Sequence, residues 1–125
     1  MVLDGAKNLE GAQRAAAAVA EEFGDHSVVL VVGMLQGKDP EAMLRAVGAA
    51  HARLVVTCPP PSPRAQPAPA LAAAAARIGV EAVATDSVSE ALEVAFLRAG
   101  PEDLILVTGS LYVVGAARAA LAVRT

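Results

Sequence analysis

The sequence predicts a three-layer α/β/α domain: a doubly wound, mostly parallel sheet of five or six strands, Rossmann-like, with helices on both faces. Strand-like and helix-like patterns alternate along the whole chain. The strand-like runs are apolar on both faces, as strands covered by helices on each side must be. Apolar residues make up 55% of the chain and aromatics only 2%, so the core has to be built from Val, Leu, Ile and Ala. The 125 residues are the size of one domain, and residues 1–125 are read as a single unit.

The first strand is Val2–Gly5. A helix follows over about 9–23, with Asn8 as N-cap and Gly24-Asp25 as its stop. Ala12, Ala15, Ala16, Val19, Ala20 and Phe23 recur at helical spacing and form its buried stripe. Ser27–Val32 is the second strand. Asp39-Pro40 then supplies a cap followed by Pro at the first helical position, and that helix runs to about Gly48. Arg53–Thr57 is the third strand. Six of the eight prolines fall between Pro59 and Pro69, a stretch expected to be an exposed loop outside the core. The next helix spans about 68–78 and is closed by Gly79, and Glu81–Ala84 is the fourth strand. Ser87 and Glu90 form a capping box for a helix that reaches about Ala99, where Gly100-Pro101 stops it. Asp103–Thr108 is the fifth strand, and Ser110 caps a last helix to about Val123. Right-handed crossovers wind these units onto both faces. The pattern does not give the strand order, and the loops leave room for a short antiparallel edge strand.

Composition narrows the function classes. A net charge of −3 argues against a nucleic-acid partner, which a basic face would mark. No apolar stretch is long enough to span a bilayer, and Asp4 and Lys7 interrupt any signal-peptide pattern, so a soluble cytoplasmic protein without a membrane partner is expected. The lone Cys58 excludes an internal disulfide and is expected to be an inert residue at a strand end. His26 and His51 precede strands, on the edge away from any candidate site, and no metal-ligand spacing occurs.

In such a sheet the βα turns line the carboxyl edge, where ligands bind. Three turns hold most of the unusual residues: Asp4-Gly-Ala-Lys-Asn8, Gly33-Met-Leu-Gln-Gly-Lys-Asp39 and Thr108-Gly-Ser-Leu-Tyr112. The only two lysines, Lys7 and Lys38, lie in the first two, each beside a helix amino terminus that favours anions. The plain alternative is a set of polar turns with capping residues. The second turn is not a P-loop, because three residues rather than four separate its glycines and Asp39, not Ser or Thr, follows Lys38. Neither a dinucleotide fingerprint nor a nucleophile–base pair is present.

Taken together, the three turns resemble the carboxy-terminal domain of the folylpolyglutamate synthase/dihydrofolate synthase family, relatives of the Mur ligases. The family pattern D-G-A-H-N-P is met by Asp4-Gly-Ala-Lys-Asn-Leu9, V-V-G-x-L-x-x-K-D by Val31–Asp39, and L-V-x-T-G-S-L-Y-x-V-G by Leu106–Gly115; Pro63-Arg64 fits the family's P-R segment. The family His is Lys7 here, and the Pro after Asn8 is Leu9. The resemblance implies an ATP- and Mg2+-dependent ligase that phosphorylates a carboxylate of dihydropteroate or a folate, which the amino group of glutamate then attacks. It implies that phosphates and Mg2+ are held mainly by an amino-terminal P-loop domain that these 125 residues do not contain, and that this domain closes over the cleft. Asp4, Asn8, Ser110 and Lys38 carry over as nucleotide or amino-acid binding residues, and Lys7 as the position of the family His. No metal ligand carries over. By itself the chain is expected to be inactive as a ligase or ATPase.

Two other readings compete. The chain could be a stand-alone or decayed non-enzymatic relative that binds a nucleotide or a protein through the same edge, which Lys7 and the missing P-loop favour. A receiver or flavodoxin-like module is weaker, because a receiver needs an Asp ending strand three, which here ends in Thr57-Cys58-Pro59.

Overall fold

The computed structural model describes residues 2–3, 13–14, 17–18, 21, 27–108, 113 and 115–117. Its sheet is built from β1 (Val2–Leu3), β2 (Val28–Val32), β3 (Leu54–Thr57), β4 (Ala82–Ala84) and β5 (Leu104–Thr108). The order across the sheet is β1-β5-β2-β3-β4, and every neighbouring pair is parallel. The most apolar, β-branched runs take the centre: β2, β3 and β5 are buried almost throughout, whereas the short Ala-Val-Ala of β4 lies at the edge and is partly exposed. The register levels the three central strands. Val32 at the end of β2 pairs with Thr57 at the end of β3 on one side and Thr108 at the end of β5 on the other.

Three described helices, α1 (Pro40–Ala46), α2 (Ala68–Arg77) and α3 (Val88–Arg98), cover the sheet. Period-two alternation of the strands sorts their side chains between two cores. On one face Leu30, Val32, Val55 and Leu106 pack with Met43 and Leu44 of α1 and Leu71, Ala74 and Ala75 of α2. On the other, Val29, Val31, Val56, Ile105 and Val107 pack with Val88, Ala91, Leu92 and Ala95 of α3 and with Val113 and Ala117. The chain is therefore doubly wound, in the three layers expected. The buried positions of α2 and α3 are mostly alanines, which let those helices lie close to the sheet.

The five strands and three of the helices fall where the sequence puts them, within a residue or two. Residues 13–14, 17–18 and 21 are helical and exposed, the face opposite the predicted apolar stripe, while the stripe itself lies outside the described residues. The helix from Pro40 is shorter than expected. Gly48, at a φ of 82°, turns the chain into a 3-10 turn over Ala49–His51. Both predicted caps form: the Asp39 side chain accepts from the Ala42 N–H at 3.3 Å, and Ser87 Oγ from the Glu90 N–H at 3.0 Å.

One expectation needs correction. The proline-rich stretch is a loop, as predicted, but it is not wholly exposed, since Pro60 is buried. Nor is it detached: the residues between the prolines supply the missing donors, and Leu35 and Ala65 form an isolated antiparallel bridge.

The amino edge of the sheet carries ion pairs. Arg53 Nη2 donates to Asp103 Oδ2 at 2.7 Å and to the Arg98 carbonyl, while Arg98 reaches Glu81 at 2.7 Å. Arg77 of α2 pairs with Glu41 of α1. Asp103 also accepts the Gly100 N–H at 2.7 Å, and this bond, aided by Arg53, holds its carboxyl below the usual aspartate range.

Two outcomes are expected. Leu92 and Leu97 share α3, but Leu92 is 1% exposed and Leu97 85%. In urea unfolding, Leu92→Ala should cost about 2–5 kcal/mol, while Leu97→Ala should stay within about 0.5 kcal/mol of the parent. For Asp103, the pKa is lower folded than unfolded, so as pH falls the unfolded chain takes up the proton first. Its contribution is thus present above the usual aspartate value of about 4 and is lost as the pH drops through the folded value. Asp103→Asn should lower stability at neutral pH and flatten the acid limb of a pH–stability curve; a parallel curve would show that the carboxylate is not responsible.

Candidate functional site

The strand order, unreadable from the sequence, gathers the three unusual turns. They follow β1, β5 and β2, which are neighbours in the sheet. Leu3 pairs with Val107 and Val32 with Thr108, so the three strands end within a residue of one another. From β2 the chain leads to α1 on one face, whereas after β5 Val113 and Ala117 pack on the other. Adjacent strands whose continuations part to opposite faces leave a crevice at their carboxyl ends, the usual ligand position in open α/β sheets.

Of the predicted site residues, Lys38 is described: it is exposed, between the end of β2 and the start of α1, and has no ion-pair partner among the described residues. Asp4, Lys7, Asn8 and Ser110 lie outside the described residues.

The Lys38 turn is shaped from several directions. At its start, a Cβ on Gly33 would lie 2.6 Å from the Cys58 carbonyl oxygen and 2.8 Å from a Val113 methyl, so only glycine lets β2, the end of β3 and the last helix meet there. Gly37 has a φ of 93°, a conformation that a Cβ disfavours. Asp39 then caps α1, so its carboxylate already occupies that helix end. That corrects the view of this helix terminus as open to an anion, and leaves Lys38 as the turn's cationic donor.

The proline-rich loop forms the other wall. The Gln36 N–H donates to the Arg64 carbonyl at 2.7 Å, and the Gln66 N–H to the Met34 carbonyl at 2.8 Å. The Gln66 side-chain amide donates to the carbonyls of Leu35 at 2.9 Å and Lys38 at 3.0 Å. Sequence reasoning missed Gln66. Its one signal is that it is the only amide side chain after Gln36, set among prolines.

Several other polar groups near this edge are committed to the fold. Thr57 Oγ1 donates to the Ala68 carbonyl and Thr85 Oγ1 to the Thr57 carbonyl, each at 2.8 Å. Cys58 is fully buried, and burial pushes its thiol pKa up to about 12, which leaves it protonated and unreactive. His51 lies at the amino edge, exposed. Among the described residues no three His, Cys, Asp or Glu side chains cluster as a metal site, and no helix is long and apolar enough to cross a membrane.

Comparison with known proteins gives one consistent family. Residues 1–111 match the model of the Mur ligase, glutamate ligase domain. A probable bifunctional folylpolyglutamate synthase/dihydropteroate synthase of Haloferax volcanii is 38% identical over 119 residues, covering 94% of this chain and 14% of that protein. Among solved structures, E. coli FolC in complex with DHPP and ADP superposes with a TM-score of 0.85 at 25% identity, over 96% of this chain and 28% of that one. The bifunctional folylpolyglutamate synthase/dihydrofolate synthase of Yersinia pestis, complexed with AMPPNP and Mn ion, gives 0.75 at 26% identity, over 98% and 28%. The chain thus spans less than a third of each of these relatives.

The Gly33 contact generates an expected outcome. Gly33→Ala places a methyl against backbone and should destabilise the fold by about 1–3 kcal/mol. Gly37→Ala meets open space and should cost only its backbone strain, about 1–2 kcal/mol. The difference appears in amide exchange: Gly33→Ala should quicken it in β2 and β3, Gly37→Ala only around the turn.

Proposed function

Because the chain belongs to the Mur ligase family, as its glutamate ligase domain, we propose that it is the closing domain of an ATP-dependent ligase that adds glutamate to dihydropteroate or a folate. The observation that carries this reading is the adjacency of β1, β5 and β2, whose level carboxyl ends bear the three family-like turns. The ADP, AMPPNP, Mn and DHPP in the related structures are in keeping with it.

In this reading a carboxylate of the acceptor is phosphorylated by ATP. The amine of glutamate attacks the acyl carbon, the C–O bond to phosphate breaks, and an amide and inorganic phosphate result. As the family resemblance implies, Mg2+ and the phosphates are assigned mainly to a P-loop partner domain. This chain's share is to close the cleft and exclude water from an intermediate that would otherwise hydrolyse. Asp4 is assigned to the ribose or the amino-acid amine, Asn8 and Ser110 to positioning, and Lys7 and Lys38 to anionic groups. Lys7 keeps a cation at the family His position but gives up imidazole's titration near neutral pH. The partners are then the P-loop domain, folate and glutamate, in the cytoplasm, with neither nucleic acid nor membrane. Lys7 is also the feature that favours a second reading, a non-enzymatic relative that keeps the edge and binds a nucleotide or a protein.

The test joins this chain to a P-loop domain of the family and measures phosphate release and glutamate incorporation with ATP, Mg2+, a folate and glutamate. Turnover is expected in the joined polypeptide and none from the 125 residues alone. Lys7→His should change turnover, and Ser110→Ala should lower it. A joined polypeptide that binds nucleotide without incorporating glutamate would select the second reading. Unchanged kinetics for both variants would remove the site assignment.

A further inference from the structure

The Lys38 turn is held by a side chain 28 residues away in sequence. Both hydrogen bonds of the Gln66 amide go to carbonyls, of Leu35 and Lys38, that bracket the bend at Gly37. The main-chain N–H of the same residue takes the Met34 carbonyl, and the bridge between Leu35 and Ala65 runs alongside. One residue thus binds the turn at three successive heights. The need is chemically specific. Two converging carbonyl oxygens require two donors, and a primary amide supplies them without charge. A carboxylate of the same shape has no hydrogen to give and would face both oxygens with negative charge. The prolines on either side, Pro63 and Pro67, restrict the backbone from which the amide reaches.

From this we infer that Gln66 is a positioning residue: by fixing the carbonyls of Leu35 and Lys38 it sets the bend that presents Lys38 at the carboxyl edge of the sheet to an anionic ligand group. The inference rests on the ligase reading above for the identity of that ligand, ATP or glutamate, but its structural half stands apart from it. Gln66 acts through Lys38 and need not touch the ligand.

Two measurements test it. The first needs no activity: amide exchange in the 125-residue chain and its Gln66→Ala and Gln66→Glu variants. Exchange at the main-chain amides of positions 36 and 66, which donate to the carbonyls of Arg64 and Met34, should quicken in both, more so in Gln66→Glu, while Leu30, Val31 and Leu106 in the sheet keep parental rates. Unchanged exchange at the turn, or quickening spread evenly over the sheet, overturns the proposal whether or not the ligase reading holds. The second uses the joined polypeptide and a double-mutant cycle with Lys38→Met. Lys38→Met should raise the KM of one ligand, and Gln66→Ala should raise the same KM on the order of 10- to 100-fold with a smaller change in kcat. In the Lys38→Met background Gln66→Ala should add nothing further to that KM. Losses that simply multiply, or a KM untouched by Gln66→Ala, would make Gln66 a structural residue only. Absence of glutamate incorporation in the parental joined polypeptide would count against the ligase reading, and the exchange measurement then decides the role of Gln66 on its own.

Discussion

The carboxyl edge of this domain depends on one close approach. Where β2 ends, Gly33 brings its backbone against the carbonyl of Cys58, the residue after β3, and against Val113 beyond β5. Three segments from distant parts of the chain meet there because Gly33 itself carries no side chain. Because the central strands end level, the chain can leave β2 for one face and β5 for the other and still keep the two exits side by side. A methyl group at this point would meet the Cys58 carbonyl and the Val113 side chain, and the segments beside the end of β2 would have to shift.

Around that point the polar groups are divided by role. On the amino edge, charges are matched within the fold: Arg53 with Asp103, Arg98 with Glu81. On the carboxyl edge the threonine hydroxyls and the Asp39 carboxylate go to backbone groups, and Cys58 is sealed away from solvent. Among the described residues Lys38 is exposed there, as is Arg64 on the neighbouring loop.

The parts of this structure that could be read from the sequence are the local ones. The apolar runs of β2, β3 and β5, the caps at Asp39 and Ser87 and the glycine that closes α2 each depend on residues a few positions apart, so periodicity and turn chemistry find them. The strand order escaped because placing β5 between β1 and β2 is a pairing across some hundred residues with no local trace. Family-like motifs singled out three turns, and the order shows that the strands preceding them are neighbours. The role of the proline-rich loop was misjudged for a related reason: proline content says where regular structure stops, not what the irregular backbone touches. Gln66 in particular looks like any polar loop residue until the carbonyls of Leu35 and Lys38 are seen to converge on it.

That loop has a further consequence, in the unfolded chain rather than the folded one. Five prolines between Pro59 and Pro67, ahead of α2, hold φ near −65° at each before any contact forms. The segment therefore samples fewer shapes than an ordinary loop of its length and gives up less conformational entropy on folding, the effect by which proline stabilises where the native backbone accepts it. An irregular wall built this way can be as stiff as a strand without belonging to the sheet. It also gives the Lys38 turn a neighbour that is already partly ordered when the two come together.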